Sequence, residues 1–229
     1  MNDAEFSLLQ LPGIWRAKEG LNVSGCTRQE TGHRELDKAL NGGFPPSGLV
    51  RIRSHLGIGE LSLLQSIICQ PKSQKLLVFV AAPGLVQAPW LKQLGVDLPQ
   101  VYVIQPPNDN EALWATEQCL KSGACRMVVL WQTALQPKPA RRLQVAATHN
   151  HTLCLLMESL QSSRLSLPVT LDLALHPSEQ SLYADILKQQ GGWPRENIPV
   201  RLQHTPDNSA IMKAMAAASP IYSGSSQAG

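Results

Sequence analysis

Charge is scarce in this sequence: 20 basic and 17 acidic residues make up 16% of 229, against ~25% in ordinary soluble domains. The shortfall is about twenty charges on that average. Aromatic residues are thin as well, at 5%. A formal net charge of +3 excludes the concentrated basic field of an autonomous nucleic-acid binder, although not a local basic patch, because phosphate affinity rests on clustered Lys and Arg. No uninterrupted apolar run approaches the ~20 residues of a membrane-spanning helix. The first ten residues carry Asp3 and Glu5 and nothing basic, so neither a secretory leader nor a membrane partner is expected. Cys26, Cys69, Cys119, Cys125 and Cys154 form no C-x-x-C pair and mostly lie in apolar segments. They are expected as buried free thiols in a reducing cytoplasm. A hydrophobic fraction of 43%, with 16 Gly and 17 Pro, excludes disorder of the whole chain.

Three regions follow from composition. Residues 1–24 hold Leu8, Leu9, Leu11, Ile14 and Trp15, a docking segment too short for a domain. Residues 25–204 are expected as one α/β domain, and residues 205–229 as a flexible tail, disordered from Ser219 and preceded by an Ala-Met stretch able to fold on a partner. Within the domain, residues 31–41 read as a short helix with Leu36 and Leu40 on one face, stopped by Gly42 and Gly43. Residues 48–54 are a strand candidate, 57–59 a glycine loop and 60–68 a Leu-rich helical run. Buried strands are expected at 76–82, 101–104, 127–131 and 153–157, and helices at 89–94, 110–121 and 140–148. That alternation predicts a mainly parallel sheet flanked by helices. From Val169 to Leu175 apolar residues recur with period two. With 182–188 and 200–203, joined by turn-rich segments at 176–181 and 191–197, they predict C-terminal antiparallel strands closing one sheet edge.

Strand, glycine loop and helix form the layout with which P-loop proteins hold nucleotide phosphates. Backbone N–H groups cradle the phosphates, a lysine reaches the outer ones, and a Ser or Thr binds Mg²⁺. Here the loop reads Ser54-His-Leu-Gly57-Ile-Gly59-Glu60-Leu61-Ser62. Glu60 stands where the lysine belongs, and a carboxylate there repels phosphate. Leu61 has no oxygen for a metal.

With Leu94-Gly95-Val96-Asp97, Gln105-Pro106 and Ser122-Gly123-Ala124 in order between the matching elements, the chain resembles the RecA recombinase superfamily from Thr31-Gly32 to about Gly192. The resemblance implies a RecA-like fold and places the family's functional residues on Glu60 for the Walker A lysine, Trp131 for the Walker B aspartate and Pro83 for the catalytic glutamate. It therefore implies a degenerate P-loop, with no catalytic residue, no cofactor and no ATPase activity; the vestigial nucleotide site would comprise Gly57, Gly59, Glu60, Leu61, Pro83 and Trp131.

The same substitutions, together with the 112–125 segment from Ala112-Leu-Trp114 to Cys125, Val129-Leu-Trp131 and Arg141-Arg-Leu-Gln144, are similar to the ImuA proteins, a SulA-related branch of the superfamily. That resemblance implies a bacterial, cytoplasmic accessory of the SOS DNA-damage response. It would act in translesion synthesis beside an ImuB-like relative of the Y-family polymerases, with RecA itself a further candidate partner. Kinship with SulA leaves a second expectation, inhibition of cell division by binding FtsZ. Direct DNA binding is subsidiary, since the strand-binding loops of RecA relatives are not clearly reproduced.

Arg141, Arg142 and Trp114 are the candidate contacts to a partner or to DNA, against the plainer readings of a solvated helix face and core filling. Trp15, Trp90 and Trp193 invite the same comparison. Trp131, at a strand's C-terminal end, is expected to fill the crevice where an open α/β sheet binds ligand. His55 reads as an ordinary loop residue. His149 and His151 lack a suitably spaced third ligand, so no metal site is expected.

Overall fold

The central strand candidates are too apolar to leave a face in water, and the chain stacks them in one sheet between two helical layers. The computed structural model describes residues 28–69, 74–161, 165–178 and 181–202. The expectations for residues 1–24 and 205–229, and for Trp15 and Cys26, lie outside them. Strands β1 (Gly48–Ser54), β2 (Leu76–Val80), β3 (Val101–Ile104), β4 (Cys125–Trp131), β5 (Leu153–Ser159), β6 (Leu171–Pro177), β7 (Leu182–Gln189) and β8 (Arg195–Val200) pair in the order β3-β2-β4-β5-β1-β6-β7-β8. All pairings from β3 to β6 are parallel. β7 then runs against β6, and β8 against β7.

Two expectations change here. β6 alternates as an antiparallel strand would, yet it lies parallel to β1, with Val50 opposite Leu171 and Ile52 opposite Leu173. β8 occupies residues 195–200, part of which reads as a turn in the sequence. Pro199 is acceptable there because β8 is a sheet edge. Asn197, at φ 57°, bends the strand and donates its N–H to Asp185 Oδ1 at 2.7 Å.

The helices are α1 (Arg34–Ala39), α2 (Glu60–Leu63), α3 (Gln65–Ile68), α4 (Ala88–Gln93), α5 (Asp109–Lys121) and α6 (Pro137–His149). Asp37 of α1 accepts the N–H and hydroxyl of Thr31, both at 2.8 Å, and so ties the chain entering the helix to it. The run 60–68 is not one helix. Leu64, at φ −91° and ψ 0°, breaks it into α2 and α3, and the tightened turn buries Leu63, Leu64, Ile67 and Ile68 together. α5 starts on a reciprocal cap, with Asn108 Oδ1 accepting from Glu111 N at 3.0 Å and Asn108 Nδ2 donating to Glu111 Oε1 at 3.2 Å. α6 begins three residues before its apolar stripe because Pro137 presets the first turn.

Alternation along the strands sorts the core into two layers. Val50, Ile52, Leu77, Phe79, Val129 and Leu155 pack with Leu36, Leu63 and Leu91 of α1, α2 and α4 on one face. Leu49, Val78, Val128, Leu130 and Leu156 pack with Leu120 of α5 and Leu143 of α6 on the other. Each fully buried leucine contributes about 1.5–3 kcal/mol. No helix among the described residues is long and apolar enough to cross a membrane.

Candidate functional site

β1 delivers the chain to the glycine loop at the C-terminal end of the parallel strands, where open α/β sheets bind ligands. Gly57 at φ 83° and Gly59 at φ 109° take left-handed conformations open to residues without a Cβ. Their amides turn inward. Glu60, the next residue, folds its side chain back onto that cradle: Gly57 N–H donates to Oε1 at 3.1 Å and Gly59 N–H to Oε2 at 3.2 Å. Its carboxylate is buried, with 6% of the residue exposed. The acidic residue thus does more than repel phosphate. It occupies the loop amides with an anion covalently part of the chain, so a phosphate would have to displace it.

Beside the cradle lies a cavity of ≈ 420 Å³ whose walls include Glu60, Leu61, Phe79, Pro83, Trp90 and Trp131. Four of the positions read from the sequence as a vestigial site, drawn from three segments of chain, do meet there. Trp131 is half-buried and stacks on Phe79, with ring centroids 6.2 Å apart and planes at 30°. The indole forms a wall of the crevice and leaves it open, which corrects the expectation that it fills the space. Ala81 and Ala134, in the loops after β2 and β4, sit at φ 54° and 53°, a strain of about 1–2 kcal/mol for an L side chain. Among the described residues, Glu60 is the only ionisable one lining the cavity. A Mg²⁺-nucleotide, which the P-loop layout calls for, does not fit this donor set: the amides are taken, the wall is mostly apolar, and no basic residue among those described lines it.

The other candidates lie across the sheet. Trp114 on α5 is 65% exposed. Glu117, one turn on, pairs with Lys121 at 2.7 Å and with Arg142 of α6 at 3.2 Å. Trp114 and Arg142 therefore belong to one α5/α6 surface, with Arg141 exposed beside it, and the sheet separates them from the cavity. Trp193 is 82% exposed, whereas Trp90 is half-buried and packs on the core. His55 is half-buried beside the loop. No group of three or more metal-ligating side chains occurs among the described residues.

A buried charge cluster escaped the sequence reading. Arg51 of β1 is 1% exposed; its Nε donates to Asp172 Oδ1 at 3.1 Å, its Nη2 to Asp172 Oδ2, and its Nη1 to Leu165 O at 3.0 Å. Arg53 donates to the same Asp172 Oδ2 at 2.8 Å. Glu158 lies 3.7 Å from Arg51 and accepts the Leu135 N–H at 3.1 Å. Burial pushes the Glu158 carboxyl above its ordinary pKa, against the opposing pull of that amide and the arginines. The available signal was Arg51 and Arg53, two residues apart in an otherwise apolar strand, matched by Asp172 in another.

Protein RecA of Leptospira biflexa is 33% identical over 128 residues, which are 55% of this chain and 33% of that protein. Protein RecA of Ruegeria pomeroyi is 36% identical over 111 residues, 47% of this chain and 32% of that one. The chain thus spans about a third of the length of these curated relatives. The crystal structure of SulA from Pseudomonas aeruginosa aligns with a TM-score of 0.42 and 22% identity, covering 48% of this chain and 97% of that one. The family model described as the RecA N-terminal domain matches residues 18–160, from before the glycine loop to the end of β5, and the chain accordingly belongs to the RecA N-terminal domain family.

Proposed function

We propose that this protein is a non-catalytic accessory of SOS-induced translesion DNA synthesis, an ImuA-type scaffold for an ImuB-like relative of the Y-family polymerases. One observation carries the reading: Glu60 holds the phosphate-binding amides of a RecA-family domain. A domain whose cradle is filled by its own side chain has no use for nucleotide as fuel or timer, and retains its surfaces for binding. Exposed Trp114 beside Arg141 and Arg142 supports such a role, since aromatics and arginines are enriched where partners dock.

The test is affinity recovery of the full chain from DNA-damaged cells, paired with the variant Trp114→Ala. Enrichment of a Y-family polymerase relative, weakened in the variant, is the expected result. Recovery of FtsZ instead, with filamentous cells on overexpression, would transfer the reading to SulA-like division inhibition. Tight Mg²⁺-ATP binding in calorimetry would overturn the non-catalytic assignment.

A further inference from the structure

The cavity at the C-terminal ends of β2 and β4 joins a buried carboxylate to a set of aromatic rings. Phe79 of β2 and Trp131 of β4 form one stacked wall, with centroids 6.2 Å apart. Ala81, at φ 54°, turns the chain out of β2 while its N–H donates to Ile104 O at 2.9 Å. The loop that follows supplies Leu85 and Val86, and α4 supplies Trp90. Leu85 is 95% exposed, so the cavity reaches solvent along this side. Its volume of ≈ 420 Å³ falls within the ~300–1,000 Å³ usual for small-molecule sites.

Among the described residues, Glu60 has no counter-ion. The Gly57 and Gly59 amides that donate to its oxygens, at 3.1 and 3.2 Å, are neutral. They satisfy one lone pair on each oxygen and leave a second. The ion pairs of the described residues join other side chains. Buried charges are as a rule paired, because low surrounding polarity leaves them poorly solvated. The rings beside this carboxylate suit the same missing charge, since the face of an indole or phenyl ring attracts a cation. Carboxylate, indoles and apolar side chains therefore ask for one kind of molecule, positively charged at one end and apolar along the rest.

We propose that this cavity binds a small organic cation, a protonated amine carried on an apolar body. The ammonium group donates to the remaining lone pairs of Glu60 and supplies the charge that the loop amides do not. The body packs on Trp90, Trp131 and Val86. An anion is turned away by the same carboxylate, and a neutral molecule gains only the apolar wall. The position that a P-loop gives to lysine, for a phosphate, here selects a ligand of the opposite sign. Binding is reversible and makes no covalent bond. The sheet separates this site from the α5/α6 surface, so the two can be probed independently.

Phenylbutylamine, phenylbutanol and phenylbutyrate share one apolar body and differ in charge at neutral pH, which makes them the probes. In calorimetric titrations of the full chain, the amine should bind about tenfold tighter than the alcohol or better, and the carboxylate should not bind. Glu60→Gln keeps an oxygen for the loop amides and loses the charge; with folding checked by circular dichroism, it should weaken the amine by about tenfold and leave the alcohol unchanged. Trp131→Ala should weaken both amine and alcohol, and Trp114→Ala neither. Equal binding of all three probes, no heat from the amine at millimolar concentration, or full amine affinity in folded Glu60→Gln would each overturn the proposal. So would loss of amine binding in Trp114→Ala with retention in Trp131→Ala. Should Glu60→Gln fail to fold, the charge series on the wild-type chain decides by itself.

Discussion

Glu60 concentrates the character of this protein in one side chain. Removing it in Glu60→Ala leaves the Gly57 and Gly59 amides without their acceptor, a cost of about 1–3 kcal/mol. The urea midpoint should fall with an unchanged slope, and calorimetry should still find no Mg²⁺-nucleotide binding, because Leu61, Pro83 and Trp131 remain in the wall. Glu158 yields a pH prediction. Its folded pKa is raised by burial, so the folded state holds the proton more tightly than the unfolded one. Its contribution is complete below the unfolded value of about 4.3 and is lost as pH rises through the folded value. Glu158→Gln keeps an oxygen for the Leu135 amide and cannot ionise. Its stability relative to wild type should therefore increase with pH from about 4.3 upward, as read by denaturant titrations at several pH values; a constant difference would refute the assignment.

Elements depend on a few junction residues. Asn108 caps α5 from both its oxygen and its nitrogen, and Asn108→Ala should cost about 1 kcal/mol, seen as a lower thermal midpoint. Gly48 is a tighter junction. At φ 103°, a Cβ there would stand 2.4 Å from Thr170 Oγ1. Gln144 of α6 binds both the Leu49 N–H, at 2.7 Å, and the Thr170 hydroxyl, so β1, α6 and the chain entering β6 meet at this point. Gly48→Ala combines clash with backbone strain and should destabilise by about 2–3 kcal/mol, more than Asn108→Ala in the same denaturation assay. Existence and type of the long elements were legible from the sequence, as Leu76–Val80 and Asp109–Lys121 illustrate. The break at Leu64 was not, because it serves the burial of four neighbouring side chains rather than any local propensity.

For the whole molecule, scarcity of charge goes with exposed apolar side chains: Leu85, Trp193, Trp114, Leu56 and Tyr102 are each more than half exposed. Under the proposed scaffold role, Trp114 is the one of these offered as a partner contact. Trp114→Ala should change unfolding free energy by no more than about 0.5 kcal/mol while weakening partner recovery. A large loss of stability would instead make Trp114 a structural residue. The expectation that the cysteines are uniformly buried is corrected as well, since Cys69 and Cys119 are half-exposed.

By itself the sequence determined the alternation of strands and helices and the apolar faces, which are properties of residue type and short spacing and survive without knowledge of the fold. The glycine loop with Glu60 in place of a lysine is legible in the same way, whereas the loss of the two carboxylates is what the resemblance to RecA implies. Only the tertiary structure decided that the Glu60 carboxylate lodges in the amides of its own loop, that β6 joins β1 in parallel, and that Trp131 walls an open cavity. Arg51 and Asp172 make the reason plain. They are 121 residues apart and buried together, and their pairing depends on which strands the packed sheet sets side by side, a choice made by the burial of both faces at once and written in no local stretch of chain.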